Sequence, residues 1–268
     1  MSDFFDLRRT PNPHRWRLPV TEPICAGPTG APFLFGGVGL AAAVKAVEVT
    51  CARPVMWATA QYLSFAQPPS VVDLDVQVPV TGRHTSQARV VAHVDDREIL
   101  TVNAALGARP GDVSRQFVAA PQAPPPLECP EVQHWRAGPN DIDARFEKRL
   151  VRGRYPDGTP IGRPSDDGRL VVWIRPRERF QIDSAMLAVI ADFVSEGISS
   201  AAGALSGGNS LDNTIRFVAS APAEWVLCDI CIQSIHAGVV HGEMRLFSES
   251  GALLAISATS LILRIHKA

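Results

Sequence analysis

The chain has 268 residues, of which 46% are hydrophobic and 20% are charged, and its formal net charge at pH 7 is −1. This composition is typical of a globular protein with enough material for one large domain or two smaller ones, and it excludes a disordered chain. The small net charge excludes the broad electrostatic field that collects nucleic acid or an anionic membrane, so neither is expected as a partner.

The chain has five cysteines, which are scattered along it. Their odd number and wide spacing do not fit a disulfide framework and favour a reducing compartment. Cys228 and Cys231 form a C-x-x-C pair, but zinc needs a second pair of ligands, and positions three apart in a strand point to opposite faces. No metal is therefore expected. The first nine residues are not followed by an apolar stretch, so a secretory signal is not expected and the predicted location is the cytoplasm.

The first predicted helix follows an irregular arm over residues 1–30. Gly36 and Gly37 open a run of small apolar residues that continues to Val49, and such a slender helix lets a sheet approach closely. The run is interrupted by Lys45 and is shorter than the roughly 20 residues of a membrane span, so a buried helix is expected. Its G-x-G-x-x-A motif is not followed by strands that alternate with helices, so no nucleotide cofactor is expected.

An antiparallel meander is predicted next, with strands at about 55–66, 71–80, 84–95 and 97–107. The turn signals between these strands are too short for parallel crossovers. Residues 108–169 are rich in proline and end in a charged piece, so they are predicted to connect two modules.

The second predicted helix covers residues 184–205, with Asp183 as its N-cap and large apolar residues recurring along one helical face. A strand at 170–175 precedes it, and strands at about 211–219, 224–236, 239–249 and 252–265 follow it. The sequence from Gly82 to Arg89 returns in similar form from Gly238 to Arg245. The repeat indicates either one duplicated unit, a helix followed by antiparallel strands, or a chance similarity between two meanders.

Asp192 is the most informative polar residue, because it lies within an otherwise hydrophobic helix. On a helical wheel it lies on the small-residue face, away from the large apolar stripe, so it is either a solvated outer residue or a buried group with a partner or a function. The segment 207–217 concentrates hydroxyl and amide groups ahead of a strand, including Asn209 and Ser210. Turn chemistry explains much of this composition, but a hydroxyl there could also hold a water beside the helix carboxylate.

Taken in order, several segments resemble the acyl-CoA thioesterase II family, whose members are double hotdogs in one chain. The resemblance covers nearly the whole chain and rests on these pieces: Phe35–Gly37, Tyr62–Phe65, Gly82–Arg89, Trp173–Arg175, Ala191–Asp192, Ser210–Phe217, Glu224–Leu227 and the last strand ending at Arg264. It implies an α+β fold in which an antiparallel sheet wraps two central helices. The modules would span residues 1–110 and 170–268, joined by a linker over 111–169.

The resemblance also implies site residues. In the family, a helix aspartate, a hydroxyl residue at a strand start and a glutamine in the last strand hold the water that attacks the thioester. Asp192 and Ser210 match the first two, whereas the place of the glutamine is taken by Thr259, which has one rotatable donor instead of two amide donors. The N–H groups of Gly36 and Gly37 are candidate donors to the substrate oxyanion, or glycine there simply permits close helix–sheet contact.

The implied function is hydrolysis of acyl-CoA thioesters to free acid and CoA, by water activated at Asp192. Thr259 weakens that expectation, so the alternative is a hotdog protein that binds an acyl-CoA or acyl-carrier thioester without hydrolysing it, or one recruited to a biosynthetic step. An interaction scaffold would instead have no thioester affinity. The expected partner is an acyl-CoA substrate, with a homodimer open, and Asn209 is a further candidate substrate contact.

Overall fold

One antiparallel sheet of 13 strands dominates the protein. The computed structural model describes residues 4–28, 30–108, 111, 113–159 and 161–266. The strands of the first half are β1 Arg8–Arg9, β2 Arg15–Pro19, β3 Cys25–Ala26, β4 Phe33–Leu34, β5 Val55–Tyr62, β6 Val71–Thr81, β7 Thr85–Val94 and β8 Arg97–Gly107. The remaining strands are β9 Glu131–Val132, β10 Phe146–Arg152, β11 Arg169–Pro176, β12 Ser206–Phe217, β13 Val226–His236, β14 Val239–Ser248 and β15 Leu253–Ile265.

The order of strands repeats across the sheet, which reads β1-β2-β6-β7-β8-β5-β12-β15-β14-β13-β11-β10-β9, with β3 and β4 in a separate pair. In each half, the first strand after the helix, β5 or β12, lies at the middle of the sheet. The next three strands start farther out and follow in order toward the middle, so that β8 lies beside β5 and β15 lies beside β12. β5 and β12 meet antiparallel at the middle, where Thr59 lies opposite Thr214 and their hydroxyl oxygens are 3.0 Å apart. The repeated sequence segments lie in β7 and β14, which are equivalent strands, so the repeat in sequence matches a repeat in topology.

The first helix, α1, spans Gly36–Cys51 and is buried around most of its circumference. Its inward residues are glycine, alanine, valine and leucine, whose small volume lets it contact the strands on one side and the second helix on the other. The helix ends where Ala52 takes a left-handed conformation with φ of 50°. The bounds therefore match the predicted helix to within two residues.

The second helix differs from the prediction, because it is not continuous. α2 covers Ser184–Ala191, a 3₁₀ turn covers Asp192–Glu196, and α3 covers Gly197–Ala202. Its predicted N-cap is confirmed, since the Asp183 carboxylate accepts a hydrogen bond from the N–H of Met186 at 2.8 Å. The whole segment is long and apolar enough to cross a membrane by composition alone, but 83% of its most apolar window is buried inside the protein, as in a core helix.

The predicted connection between the modules contributes to the sheet. β9 pairs with β10, and β10 pairs with β11 at the edge of the second half. Phe146 and Ile142 are fully packed in the main core, and Lys148 is buried between carboxylates. The charged sequence 145–154 concealed this strand, because the sequence does not show that Lys148 is buried and paired with Asp143, five residues away, and with Glu196 in the second helix.

Candidate active site

The carboxylate of Asp192 lies at the centre of the molecule, at the start of the 3₁₀ turn that interrupts the second helix. Its side chain is 4% exposed. Oδ2 accepts a hydrogen bond from the N–H of Gly37 at 2.8 Å, and Oδ1 accepts one from Nδ2 of Asn213 at 3.3 Å. Of the two readings that the sequence left open, the buried one is therefore correct.

Burial is the main influence on the acidity of Asp192. Loss of hydration raises the pKa of this carboxyl above the ordinary value of 3.8. The hydrogen bonds from Gly37, Asn213 and Ser210 act in the opposite direction, because they stabilise the charged form, but they do not overcome the effect of burial. The group is therefore a stronger base than a solvated aspartate.

A β-bulge in β12 brings Ser210 and Asn213 to the same face of the sheet. Ser210 pairs with Leu261 and Asn213 pairs with Thr259, so three steps along β12 correspond to two steps along β15. The extra residue is Leu211, whose side chain is exposed. In a regular strand, side chains three residues apart point to opposite faces. One inserted residue shifts this alternation, so that the two side chains point to the same face. Ser210 and Asn213 therefore both face Asp192.

Thr259 faces the interior but has a different contact from the one that the family resemblance implied. Its side chain is 4% exposed, and its hydroxyl donates to the main-chain oxygen of Asp212 at the bulge. The amide group that contacts Asp192 belongs to Asn213, the residue directly opposite Thr259. The sequence could have indicated Asn213 only if the bulge had been known.

Gly36 and Gly37 lie where α1 touches the second helix. A Cβ on Gly36 would be 2.9 Å from Oδ2 of Asp192, and a Cβ on Gly37 would be 2.8 Å from the carbonyl oxygen of Val189. Both positions therefore need glycine for close approach. The N–H of Gly37 donates to Asp192, so in this arrangement it is not directed at a substrate oxygen as predicted. The N–H of Gly36, the first residue of the helix, has no acceptor within the helix itself.

Tyr62 is a site residue that the sequence did not single out. It ends β5 and lines a cavity that opens beside Asp192, and its ring is 3.0 Å from where a Cβ of Gly36 would be. Its hydroxyl is buried and has no hydrogen-bond partner among the residues that the structure describes. Burial first, and then the nearby charge of Asp192, raises its pKa well above 10.0, so the phenol keeps its proton and can donate it in a hydrogen bond.

A cavity of about 560 Å³ opens beside Asp192, and its lining includes two chemically different groups of residues. We call them the apolar lobe and the polar lobe. The apolar lobe is formed by Phe33, Leu34, Phe65, Ala66, Ile99 and Leu100. The polar lobe is formed by His134, Arg136, Asp141, Asp143, Glu196, Ser206, Asn209, Arg264 and His266. Of the candidate residues, Asp192, Ser210, Gly36 and Asn209 line this cavity.

Lys148 holds two carboxylates beneath the polar lobe. Its ammonium forms ion pairs with Asp143 and Glu196, and the hydroxyl of Tyr155 donates to Oε1 of Glu196 at 2.8 Å. Burial raises the pKa of Glu196. Burial also acts to raise the pKa of Asp143, but the charges of Lys148 and His134 and the hydrogen bond from Lys148 together outweigh it and lower that pKa. Oε2 of Glu196 is buried without a partner among the described residues. None of this cluster was a candidate from sequence, because Lys148 lies in the predicted linker.

Comparison with known proteins agrees with this geometry. Residues 118–263 match the family described as acyl-CoA thioesterase C-terminal domain. A proposed thioesterase from Novosphingobium aromaticivorans is 35% identical, with a TM-score of 0.84 over 96% of this chain and 98% of that one. The chain belongs to the acyl-CoA thioesterase II family. The resemblance seen in the sequence is therefore confirmed.

More distant structures of this thioesterase family and its fold agree in architecture. A protein with a hot dog fold from Alicyclobacillus acidocaldarius is 18% identical, with a TM-score of 0.83 over 99% of this chain and 98% of that one. The acyl-CoA thioesterase II TesB2 from Mycobacterium marinum is also 18% identical, with a TM-score of 0.70 over 98% and 97%. At these identities the likeness shows the hotdog fold alone. No protein with curated information matches the chain.

Proposed function

We propose that this thioesterase-family protein hydrolyses acyl-CoA thioesters to a free acid and CoA, with Asp192 as the base that activates water. The observation that carries the proposal is a buried carboxylate of raised pKa, held by Gly37 and Asn213, on the wall of a cavity that is partly lined by apolar side chains. A raised pKa suits a general base, because the base is most effective when its pKa approaches the operating pH.

In the proposed reaction, a water held between Asp192 and the Ser210 hydroxyl attacks the thioester carbonyl carbon. Asp192 takes a proton from that water as the new carbon–oxygen bond forms and the carbonyl oxygen becomes negative. The carbon–sulfur bond then breaks, and the proton on Asp192 passes to the leaving thiolate. No covalent enzyme intermediate is needed, since a thioester carbonyl is already reactive.

The oxyanion needs hydrogen-bond donors, and the N–H of Gly37 is already used by Asp192. We propose the hydroxyl of Tyr62 and the N–H of Gly36 for this role. Tyr62 offers a buried donor without a partner among the described residues, and Gly36 offers a helix N-terminus beside it. Donors fixed in a site that excludes water stabilise a developing charge strongly.

We also propose that the chain is a double hotdog, in which the long sheet wraps the two central helices. The mirrored strand order around β5 and β12 and the burial of both helices support this proposal. The modules would cover residues 1–110 and 170–268, and the linker 111–169 would add β9 and β10 to the edge of the second module.

A second candidate function is the binding of an acyl-CoA or acyl-carrier thioester without hydrolysis. The observation that favours it is the hydroxyl of Thr259, which contacts the Asp212 main chain instead of offering the site an amide. Asn213 argues for hydrolysis, because its amide contacts Asp192 directly.

The two candidates are separated by measuring thiol release from acyl-CoA thioesters of increasing chain length. We expect release by the parent protein and a fall of about 10²- to 10⁴-fold in Asp192→Asn, which keeps the shape but not the base. Asp212→Asn is the matched control, since that carboxylate accepts from the N–H of Ser260 and does not line the cavity beside Asp192. Tight thioester binding with no release above background would contradict hydrolysis and favour the binding protein.

A further inference from the structure

The hydroxyl of Thr259 is bonded to the bulge of β12 and not to the site itself. Thr259 lies on β15 directly opposite Asn213, and its hydroxyl donates to the main-chain oxygen of Asp212, the residue that follows the inserted Leu211. The Thr259 side chain is buried and does not line the cavity beside Asp192. It therefore contacts the strand that carries the site residues, and not the space that a substrate would occupy.

Two polar side chains depend on the geometry of this bulge. Ser210 and Asn213 both hydrogen bond to the carboxylate of Asp192, the Asn213 amide at 3.3 Å. A backbone rotation at the bulge would re-aim one of them relative to the other. Asp212 lies between them, so a hydrogen bond to its main-chain oxygen restricts that rotation. Its carboxylate accepts from the N–H of Ser260 at 2.7 Å, and asparagine keeps that acceptor.

The first half of the chain has an equivalent bulge, which serves as an internal comparison. The pairing of β5 with β12 places Thr59 opposite Thr214, so the two halves are compared by counting back from these residues. β5 inserts Met56 in its pairing with β8, three residues before Thr59. β12 inserts Leu211 in its pairing with β15, three residues before Thr214. The two bulges therefore occupy corresponding positions in the two halves.

The residues around the two bulges differ in chemistry. In the first half, Val55 and Ala58 flank the bulge, and Ala104 lies opposite Ala58. Their side chains contain no hydrogen-bonding group. The corresponding residues of the second half are all polar: Ser210, Asn213 and Thr259. A bulge of this kind therefore forms without a side-chain donor, and the donor is present in the half whose bulge carries polar side chains.

We infer that Thr259 is a positioning residue, whose hydroxyl fixes the β12 bulge so that Ser210 and Asn213 are held against Asp192. The inference rests on the proposed hydrolysis, in which Asp192 and Ser210 hold the attacking water. Thr259 acts through the main chain and does not touch that water. The site is not left without an amide, since Asn213 supplies the one that contacts Asp192.

The acidity of Asp192 should report the state of the bulge. Burial raises the pKa of this carboxyl, and the hydrogen bonds that it accepts, including those from Ser210 and Asn213, lower the pKa. Nearby titratable side chains are Tyr62 on β5, which keeps its proton, and Glu196 in the same 3₁₀ turn, which has its own ion pair. Loosening the bulge should therefore raise the pKa of Asp192 further and leave these neighbours unchanged.

The test uses two pairs of proteins that differ at the hydroxyl of residue 259. The parent is compared with Thr259→Val, which has a methyl group of similar size in its place, and Thr259→Ser is compared with Thr259→Ala. Without the hydroxyl, kcat for an acyl-CoA should fall about tenfold, because a misplacement of about 1 Å costs up to about 10²-fold in rate. KM should change less than about twofold, since no substrate contact is lost. The rise of kcat with pH should also move to higher pH.

Ser257→Ala is the matched control, because Ser257 lies two residues from Thr259 on the same strand and has a buried hydroxyl without a partner among the described residues. It should change neither kcat nor the pH profile. Thr259→Gln is expected to lose activity, since glutamine carries its donor farther from the main chain. A higher kcat in Thr259→Gln would overturn the inference. Equal activity with and without the hydroxyl, or a loss with an unmoved pH profile, would do the same.

A second measurement does not depend on hydrolysis. Carbon-13 NMR of aspartate-labelled protein gives the pKa of Asp192, whose signal is identified by its absence from Asp192→Asn. A pKa that is higher in Thr259→Val than in the parent and in Ser257→Ala supports the positioning role, even if the parent releases no thiol. The same pKa in all three proteins refutes it. Failure of the proposed hydrolysis is thereby distinguished from failure of the inference.

Discussion

The two buried helices each precede one of the central strands, β5 or β12, but they differ in composition. α1 is a single helix of 16 residues whose buried side is entirely apolar or glycine. Its counterpart is broken into three pieces, and the 3₁₀ turn in the middle holds two buried acids, Asp192 and Glu196, each 4% exposed. A 3₁₀ stretch within a helix often marks a functional position. The comparison teaches that α1 packs through small apolar residues, whereas the second helix carries the buried acids.

The two halves of the chain also contribute different hydrogen-bonding groups to the site. Asp192, in the second helix, accepts hydrogen bonds from Gly37 in the first half of the chain and from Asn213 in the second half. Tyr62, also in the first half, adds a buried hydroxyl without a partner among the described residues. If this comparison is correct, substitutions in the two halves of the chain should differ in their effects on stability and on kcat.

The largest effect is expected from Lys148→Met, which removes the only cation paired with Glu196 and Asp143 among the described residues. Two carboxylates would remain buried, so the free energy of unfolding should fall by about 3–5 kcal/mol in chemical denaturation. Arg152→Met, on the same strand, removes a largely exposed ion pair with Asp167 and should change stability by about 0–1 kcal/mol. Similar losses of stability in both variants would mean that a buried ion pair on the second helix contributes no more to stability than an exposed one.

The next prediction compares Tyr62 with Tyr155, the only two tyrosines of the chain. Tyr62→Phe should lower kcat by about 10²-fold, because one oxyanion donor is lost. It should leave the unfolding free energy nearly unchanged, since the deleted hydroxyl had no partner among the described residues.

Tyr155→Phe should do the reverse. It removes a donor to the buried Glu196 carboxylate and should destabilise the protein by about 1–3 kcal/mol, with a smaller effect on kcat. Thermal unfolding and steady-state kinetics on both variants give the comparison. Unchanged kcat in Tyr62→Phe would remove this residue from the mechanism.

A smaller effect is expected from Gly37→Ala, which tests the packing surface of α1. The added methyl would meet the Val189 carbonyl and the Cβ of Asp192, both at 2.8 Å, so overpacking should destabilise the fold by about 1–3 kcal/mol and displace the carboxylate. Gly39→Ala is the control in the same helix, since its methyl would meet only flexible side-chain ends, Cδ2 of Leu100 at 2.7 Å and Cδ2 of Leu34 at 3.8 Å. If both variants behaved alike, the contact between the helices would not hold Asp192 in place.

The smallest effect concerns pH. Because the pKa of Asp192 is raised, the folded protein keeps a proton that the unfolded chain releases, so this residue lowers stability as pH rises from 3.8 through the raised pKa. Asp192→Asn should therefore be more stable than the parent at neutral pH, with a difference that shrinks as the solution is acidified. Its carbonyl can accept from Gly37, and its amide can donate to Oδ1 of Asn213, which is buried without a partner among the described residues, once the Asn213 amide turns over.

Catalysis should show the opposite trend with pH, since only the ionised carboxylate accepts a proton. We expect kcat of the parent to rise as pH increases through the same raised pKa. Thermal unfolding of both proteins and kcat of the parent, measured over one pH series, check the two trends together. A stability difference that does not vary with pH would show that Asp192 is not the titrating group.

The hydrophobic period of the sequence predicted α1, the position of the second helix and most strands. The resemblance to the family implied Asp192 and Ser210 as neighbours. The sequence did not predict Asn213 or Tyr62. Asn213 reaches Asp192 only through the bulge at Leu211, and the period of a strand gives no sign of an inserted residue. β10 was hidden for a related reason, since Lys148 is polar in sequence and buried in space through contacts with residues in a turn and a distant helix.

The bulge has a consequence for comparing this chain with its relatives. A deletion of one residue at position 211 would leave aspartate, serine and asparagine in the sequence, yet it would rotate Ser210 to the outer surface while Asn213 stayed inside. A relative with such a deletion would retain the written motif and lose the proposed water site. Alignments in this region should therefore be judged by the spacing between serine and asparagine, and not by their presence alone.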